Sequence, residues 1–301
     1  HVRSRRQRQM CIRDRYKDDI KYRLKETVAI ESEASQAIKT MERYKYVLDR
    51  SLGNLTILEL DNICFSYNNE KQILKNVSFK INKGDMAAIV GRNGAGKSTI
   101  SKLVCGFYKP TSGRILFDGK DMVDYTIKER SEKIGFVMQN PNQMISKTMV
   151  YDEVAFGLKI RGLSDSEIKE RVEETLRICG LYGYRNWPIS ALSFGQKKRV
   201  TIASILVLNP DMIILDEPTA GQDFKHYTEI MEFLVDLNKK GVTILMVTHD
   251  MHLMLEYTNK VIVLSEGEKI ADNIPAYILT NKEIIDCLLY TSDAADDSLR
   301  V

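Results

Sequence analysis

The stretch GRNGAGKST at 91–99 limits the possible folds of this chain more than any other feature. It fits the pattern G-x-x-x-x-G-K-[ST], whose glycines let the backbone close around phosphate groups. The apolar segment MAAIV (86–90) precedes the loop as a short buried strand, and a helix is expected to begin at Lys97. A glycine turn with an incidental lysine is the alternative, but it does not explain the flanking strand and helix. We therefore expect a nucleotide-phosphate site at a strand end in an α/β fold.

The residues of the loop have separate expected roles in binding ATP. Lys97 is expected to reach the β- and γ-phosphates, and Ser98 to offer its hydroxyl to Mg²⁺. The N-terminal dipole of the following helix adds to the attraction for phosphate. The other predicted ATP-binding positions of the loop are Gly91, Asn93, Gly94, Gly96 and Thr99.

Beyond the loop, strand patterns and helix patterns alternate along the chain. This alternation predicts a mainly parallel sheet with helices on both of its faces. A helical pattern covers 150–181, where Ser164 and Glu167 form a capping box, and a further helix is expected near 224–239. The predicted strands are LTILELDNICFSY, ILKNVSFKI, RILFDG (114–119), KIGFVMQ (133–139), DMIILDEP (211–218), VTILMVTH (242–249), KVIVLSEG and EKIAD.

Two acidic residues, Asp216 and Glu217, follow the apolar run MIIL. In open α/β sheets, ligands bind at the carboxyl ends of the strands, so both carboxylates are expected to face the nucleotide. Asp216 is expected to hold Mg²⁺, usually through water, and Glu217 to orient or deprotonate the attacking water. A surface pair at a strand end is the alternative, and the phosphate loop argues against it.

Three further side chains are expected in the same site. His249 ends the strand VTILMVTH and is expected to contact the γ-phosphate. Gln139 follows KIGFVM, and its amide oxygen is expected to approach both Mg²⁺ and the water. Tyr67 either stacks on adenine or is an ordinary strand tyrosine. His226 and His252 lie on predicted helices without such context and are interpreted as surface residues.

The net charge of +3 is concentrated at the two ends of the chain. Residues 1–16 contribute +5 and residues 287–301 contribute −2, so the remainder is neutral. A basic surface for nucleic acid would have to come from the first sixteen residues, and no nucleic-acid partner is expected. The five cysteines form no C-x-x-C pair, which is typical of reduced thiols in a cytosolic protein.

Both ends have sequences that do not continue the patterns beside them. RQRQMCIRDRY (6–16) and CLLYTSDAAD (287–296) resemble translated sequencing-adapter read-through, so 1–16 and 289–301 are interpreted as artefact. A disordered Arg-rich tail that binds RNA or anionic lipid is the alternative at the N-terminal end. Residues 17–54 are interpreted as a linker or the tail of a preceding domain. No signal peptide and no membrane span are predicted.

In combination, the motifs resemble those of ABC-type ATPase domains. The phosphate loop, the glutamine at 139, LSFGQ (192–196), ILDEP, the AGQD turn and VTH occur in the order and spacing of that family. LSFGQ is the discriminating motif, because a phosphate loop alone marks a far larger class. The resemblance covers about residues 55–288. It implies a P-loop core with a mostly parallel sheet, a small antiparallel β-subdomain and a helical subdomain over about 140–195.

In this family, ATPase domains pair head to tail, and the signature turn of one reads the γ-phosphate held by the other. The resemblance implies that Ser193, Gly195 and Gln196 serve a partner's ATP rather than this chain's own. A monomer is then expected to bind ATP but to hydrolyse it poorly. The implied partner is a second ABC ATPase domain, which is identical, paralogous or fused.

Within the family, FVMQNPNQMISKTMVYDEVAFGL and LSFGQKKRV are similar to energy-coupling-factor importers of prokaryotes. Those importers take up vitamins, their precursors or transition-metal ions. The similarity implies a transmembrane coupling protein, a separate membrane protein that captures the substrate, and a peripheral position on the cytoplasmic face of the plasma membrane. Phe194 and Gln222 replace the commoner glycine and leucine, a departure that concerns the interface rather than nucleotide binding.

Two other functions stay open at this level. A soluble ABC ATPase that acts on ribosomes or chromosomes usually carries a long helical insertion and often a basic surface, and neither pattern is found here. An exporter ATPase is the other alternative. No fused membrane domain is predicted, and QNPNQ argues mildly against export.

Overall fold

A computed structural model describes residues 55–67, 71–220, 224–281 and 284, with the side chains of 224–226 excepted. The chain divides into a unit of residues His1–Arg50 and a unit of residues Ser51–Val301, and every described residue belongs to the second unit. The interpretations of 1–54, of 289–301 and of Gln222 concern positions outside the described residues.

Four strands form an antiparallel sheet in the order β2, β1, β4 and β5. Buried and less buried residues alternate along most of the first strand, because one face of the sheet packs on the core. This pattern confirms the strands predicted from the alternating apolar residues. The strands are β1 (Thr56–Ser66), β2 (Gln72–Asn82), β4 (Ser112–Phe117) and β5 (Lys120–Asp121).

The other six strands form a second sheet, in the order β10, β9, β3, β8, β7 and β6. They are β3 (Met86–Gly91), β6 (Ile134–Val137), β7 (Met212–Asp216), β8 (Thr243–Thr248), β9 (Lys260–Ser265) and β10 (Glu268–Asn273). All neighbouring pairs are parallel except β9 with β10. Strands β3 and β8 are buried along their whole length, which explains their unbroken apolar runs.

Parallel pairing brings the carboxyl ends of β3, β6, β7 and β8 to one edge of the sheet. The phosphate loop, Gln139, Glu217 and His249 follow these four strand ends. The predicted α/β fold, with a mostly parallel sheet and a small antiparallel sheet, is confirmed. In this fold the predicted site residues lie at one edge of the mostly parallel sheet.

Helices pack on both sheets and fill the connection between β6 and β7. They are α1 (Lys97–Val104), α2 (Ile127–Ser131), α3 (Val150–Ile160), α4 (Asp165–Ile178), α5 (Phe194–Leu206), α6 (Phe224–Lys239), α7 (Met251–Tyr257) and α8 (Pro275–Thr280). The helical pattern of 150–181 forms two helices, α3 and α4, with Gly162 at a φ of 75° in the turn between them. The predicted capping box of Ser164 and Glu167 is confirmed at the start of α4.

Candidate active site

The phosphate loop follows β3 directly, and two of its glycines are required by their surroundings. A Cβ at Gly91 would collide with the carbonyl oxygen of Leu264, and one at Gly96 would meet the side chain of Leu74. Gly96, the N-cap of α1, also has a φ of 99°, a left-handed conformation that glycine adopts without strain. These two glycines allow the chain to turn tightly from β3 into α1.

The ammonium group of Lys97 lies within this loop. Its Nζ donates to the carbonyl oxygens of Gly91 at 2.7 Å and Arg92 at 3.0 Å, and the residue is buried. Burial lowers the pKa of Lys97, while the negative charges of Glu217 and Asp216 oppose that shift. Lys97 therefore places a positive charge within electrostatic range of both acidic residues.

The first turn of α1 offers backbone donors to an anion. Within the described residues, no side chain caps this helix. The N–H groups of Lys97, Ser98 and Thr99 have no intrahelical acceptor, and the helix dipole favours negative charge at this end. Ser98 is exposed, as are Asn93 and Gly94 at the turn of the loop. This arrangement fits the phosphates of a nucleotide.

Asp216 is the last residue of β7, and Glu217 is the first residue beyond it. The Glu217 N–H donates to the carbonyl oxygen of Val247 at 2.8 Å, so its backbone remains attached to β8. Glu217 has a φ of 44°. Such a conformation at a non-glycine residue costs about 1–3 kcal/mol and is concentrated at functional sites.

The carboxylate of Glu217 is held by two residues at the end of β8. Its Oε1 accepts from His249 Nδ1 at 2.7 Å, and its Oε2 accepts from Thr248 Oγ1 at 3.2 Å. Thr248 Oγ1 itself accepts from the Asp250 N–H at 3.0 Å, which leaves its hydrogen for Glu217. The side chain of Glu217 is 13% exposed and that of His249 is 64% exposed. The imidazole is thus the accessible member of the pair.

Asp216 lies in an electrostatic setting that favours a bound cation. Burial raises its pKa, and the charge of Glu217 raises it further, while three lysine side chains act in the opposite direction. In the part of the chain that the structure describes, no three His, Cys, Asp or Glu side chains form a metal cluster. Mg²⁺ commonly uses one or two carboxylates together with phosphate oxygens and water. Asp216 offers such a carboxylate, while the hydroxyl of Ser98 and the amide oxygen of Gln139 are neutral oxygen donors that follow other strand ends at the same edge.

Gln139 lies two residues beyond β6, in the connection to α3. The backbone carbonyl oxygen of Gln139 accepts from Lys198 Nζ at 2.8 Å, and the backbone carbonyl oxygen of Met138 accepts from the same Nζ at 2.9 Å. Lys198 lies on α5 and is only 1% exposed. Burial lowers its pKa to about 8, against the opposing charges of two acidic residues.

Lys198 is a buried site residue that the sequence reasoning missed. A lysine is expected on the surface, because lysines are almost never fully buried unless paired. The available signal was helical spacing, since Lys198 precedes the buried residues Thr201 and Ile202 by three and four positions. Residues at that spacing share one face of a helix.

The signature residues form the start of α5. Ser193 is its N-cap, where Ser193 Oγ accepts from the Gln196 N–H at 3.2 Å and Gln196 Oε1 accepts from the Ser193 N–H at 2.9 Å. Gly195 is buried behind this turn, while Phe194 is 42% exposed. A cavity of about 240 Å³ is lined by Ser193, Gly195 and Gln196, by residues that follow α4, and by Arg199 of α5 and Glu229 and Ile230 within α6. No residue of 91–99 is among the described residues that line it.

Tyr67 lies immediately after β1 and is 48% exposed. Its ring makes edge-on contacts with Phe65 and Tyr108, at centroid distances of 4.9 and 5.2 Å. Its hydroxyl lies 3.2 Å from Oγ1 of Thr99 in α1. The structure thus brings Tyr67 beside the phosphate loop with part of its ring accessible, and its stacking on adenine stays a prediction.

Of the two histidines on predicted helices, the structure describes the side chain of His252. His252, on α7, is exposed and forms a pair with Glu256 at 3.3 Å, so its predicted surface position is confirmed. His226 lies on α6, and its side chain is outside the described residues.

Two family profiles match the sequence. The profile of the family described as ABC transporter matches residues 74–220, a range that includes the phosphate loop, the signature and Glu217. A second profile, described as the DisA bacterial checkpoint controller linker region, matches residues 24–77. The described part of this second match lies in and around β1 and β2 of the antiparallel sheet.

Curated relatives carry the same description. A protein of Clostridium perfringens named as an ABC transporter ATP-binding protein is 69% identical over 231 residues, or 77% of this chain and 41% of the relative. A protein of Enterococcus faecalis with the same description is 60% identical over 230 residues, or 76% of this chain and 40% of the relative. This chain therefore spans 40–41% of the length of these relatives.

Solved structures show the same fold. CbiO1 of Clostridium perfringens, described as part of the ABC transporter complex CbiONQ, is 40% identical with a TM-score of 0.72. The match covers 76% of this chain and 93% of CbiO1. The ADP form of MJ1267, an ATP-binding cassette of an ABC transporter, is 28% identical with a TM-score of 0.72, over 79% of this chain and 100% of MJ1267.

Proposed function

This chain belongs to the ABC transporter ATP-binding proteins, and on that basis we propose that it binds ATP with Mg²⁺ and hydrolyses it. Lys97 and the free N–H groups at the start of α1 hold the phosphates. Ser98, Asp216 and Gln139 hold Mg²⁺. When bound, the ion neutralises charge on the β- and γ-phosphate oxygens.

The main support for this proposal is the hydrogen bond between the side chains of Glu217 and His249. Glu217 is held in a left-handed backbone conformation and by Thr248, with its carboxylate 2.7 Å from the exposed imidazole. A carboxylate fixed in this way orients a water molecule and accepts its proton. His249 uses Nδ1 for Glu217, which leaves Nε2 for the γ-phosphate. Water activation and phosphate contact are therefore joined in one hydrogen-bonded unit.

We further propose that the active unit is a head-to-tail pair of ATPase domains. The signature residues at the start of α5 line a cavity separate from the phosphate loop, which supports their use by a partner's ATP. The partner is a second copy, a paralogue or a domain fused in a longer chain. The greater length of the curated relatives supports a fused second domain.

The proposed role of the pair is to power an importer of the energy-coupling-factor type, for a vitamin, a vitamin precursor or a metal ion. The support is the 40% identity to CbiO1, which belongs to a transporter complex, together with the segment around QNPNQ. Among the described helices, none has the length and hydropathy needed to cross a bilayer. In this proposal a transmembrane coupling protein and a membrane protein that captures the substrate form the path through the membrane, and the chain lies peripherally on its cytoplasmic face.

Phosphate release by the purified chain tests the enzymatic proposal. Activity is expected with Mg²⁺ and not with EDTA, and Glu217→Gln is expected to lower the rate by about 10²–10⁴-fold, as for loss of a general base. The same variant with ATP and Mg²⁺ is expected to elute as a dimer. Glu170→Gln, which changes an exposed carboxylate on α4, is the matched control and should retain the rate. A Glu217→Gln variant that hydrolyses ATP normally and stays monomeric would contradict the proposal.

Transport is tested with the membrane partners in vesicles. The chain is purified from detergent-solubilised membranes, its partners are identified and reconstituted, and solute movement is measured with ATP on the outer side. The ATPase of an importer lies on the side that receives the solute. ATP-driven movement of solute into the vesicle lumen, away from the ATPase, would therefore contradict import. Recovery of ribosomes or chromosomal DNA in place of a multi-span membrane protein would favour the soluble alternative.

A further inference from the structure

A buried ammonium group joins two segments to which the proposed function gives different tasks. Lys198 Nζ donates to the carbonyl oxygens of Met138 at 2.9 Å and Gln139 at 2.8 Å. Met138 and Gln139 follow β6, and the proposed function places Gln139 in the chain's own nucleotide site. Lys198 lies on α5, whose first residues are the signature.

These bonds are difficult to break independently of their surroundings. Lys198 is 1% exposed, so water does not replace a lost carbonyl acceptor. A buried charge that loses its hydrogen-bond partner strongly destabilises the folded protein. When the backbone at Gln139 shifts, these bonds are kept only if the ammonium moves with the carbonyl oxygens, and the buried side chain that carries it is packed within the core beside α5.

The helix can transmit such a displacement to its first turn. Lys198 is five positions after Ser193, which corresponds to about 7.5 Å along an α-helix. The capping box between Ser193 and Gln196 fixes the first turn to the rest of α5. A displacement at Lys198 therefore reaches the signature without an intervening flexible segment.

We propose that Lys198 is a positioning residue that couples the two ATP sites of the dimer, by tying the backbone at Gln139 to the signature end of α5. The inference rests on the proposed head-to-tail dimer. Binding of ATP and Mg²⁺ at the chain's own site sets the position of Gln139. Through Lys198, the position of Gln139 determines the position of the signature turn, which closes on the partner's ATP. Nucleotide occupancy at one site thereby changes the stability of closure at the other.

The experiment measures dimer formation against ATP concentration in a Glu217→Gln background, with Mg²⁺ present. Lys198→Met keeps a side chain of similar length but removes all three donors, and Lys198→Gln keeps an N–H donor without the charge. Lys169→Met, which alters an exposed lysine on α4, is the matched control. ATP affinity is measured separately, with a fluorescent nucleotide at protein concentrations too low for dimers.

The proposal predicts that Lys198→Met raises the ATP concentration for half-maximal dimer about ten-fold, within the usual range of coupling between sites. Monomer affinity should change by less than about three-fold, and Lys198→Gln should recover part of the loss, because one carbonyl bond is kept. If Lys198→Met does not fold, Lys198→Gln carries the test, with an expected shift of about three-fold or more.

Two results would overturn the coupling while leaving the proposed dimer intact. One is a Lys198→Met curve that coincides with those of the parent and of Lys169→Met. The other is a parallel loss of monomer affinity and dimer formation, which would restrict Lys198 to the chain's own site. Failure of the Glu217→Gln parent itself to dimerise would instead overturn the pairing of two copies of this chain, and with it the coupling between their sites.

Discussion

The Nδ1 atom of His249 lies 2.7 Å from Oε1 of Glu217, so an exposed imidazole and a mostly buried carboxylate form one hydrogen-bonded pair. The two residues follow adjacent parallel strands, β8 and β7, and their proximity follows from the strand order. An ionised carboxylate can only accept hydrogen bonds, so Nδ1 carries the shared proton. The pairing fixes the tautomer and ring orientation of His249 and leaves Nε2 for a ligand.

Replacement of His249 by alanine should reduce turnover more than ATP binding. The variant loses a group that contacts the γ-phosphate and orients Glu217, and kcat should fall by about 10²–10³-fold, as for loss of a transition-state donor. The KM for ATP should change little, because the loop and Lys97 remain. His252→Ala, at an exposed position on α7, is the control. Equal losses in the two variants would argue against a specific role for His249.

Thr248→Val should weaken both the fold and the site. The substitution keeps the side-chain volume but leaves the Asp250 N–H without its acceptor and Oε2 of Glu217 without the Thr248 donor. The free energy of unfolding should fall by about 1–3 kcal/mol, and kcat should fall with it. Denaturant titration and phosphate release measure the two effects. Thr258→Val removes a buried hydroxyl that donates to Met254, and this control should lose stability but keep kcat.

The strand ends were predictable because strand order and ligand position follow general rules. Parallel strands place Asp216, Glu217 and His249 at one edge, and a phosphate loop marks that edge as the nucleotide side. The contacts among them were not predictable, since the left-handed φ of Glu217 and the donor hydroxyl of Thr248 depend on the register of β7 and β8. Lys198 was missed because its partners are backbone carbonyls, which carry no sequence signal.

Lys97→Ala should abolish measurable ATP binding. The Lys97 ammonium lies within the loop, where it is buried against two of the loop's carbonyl oxygens. Calorimetry or a fluorescent nucleotide measures the loss. Lys120→Ala, an exposed lysine on β5, should bind ATP as the unaltered chain does. An unchanged affinity of Lys97→Ala for ATP would contradict the assignment of residues 91–99 as the phosphate-binding loop.

Tyr67→Ala should weaken ATP more than inorganic triphosphate. The ring is half-exposed beside α1, where it can stack on a base, and stacking is typically worth about 1–3 kcal/mol. Tyr67→Phe keeps the ring and loses only the contact with Thr99, so it should bind ATP nearly normally. Equal weakening of ATP and triphosphate by Tyr67→Ala would exclude a stacking role.

In the proposed head-to-tail pair of two copies, the signature of one chain closes on ATP held by the loop of the other. Two variants in a Glu217→Gln background test it, one with Lys97→Ala and one with Ser193→Asp. Aspartate is a good N-cap, so α5 should remain intact while a negative charge faces the partner's γ-phosphate. Each variant alone lacks one half of every composite site.

The measurement is the molecular mass of each variant and of their mixture with ATP and Mg²⁺, by mass photometry or sedimentation. Head-to-tail pairing predicts monomers for each variant alone. It predicts a dimer in the mixture, where the loop of the Ser193→Asp chain meets the signature of the Lys97→Ala chain. A mixture that stays monomeric under conditions where the Glu217→Gln parent dimerises would contradict the claim, as would a dimer of Ser193→Asp alone.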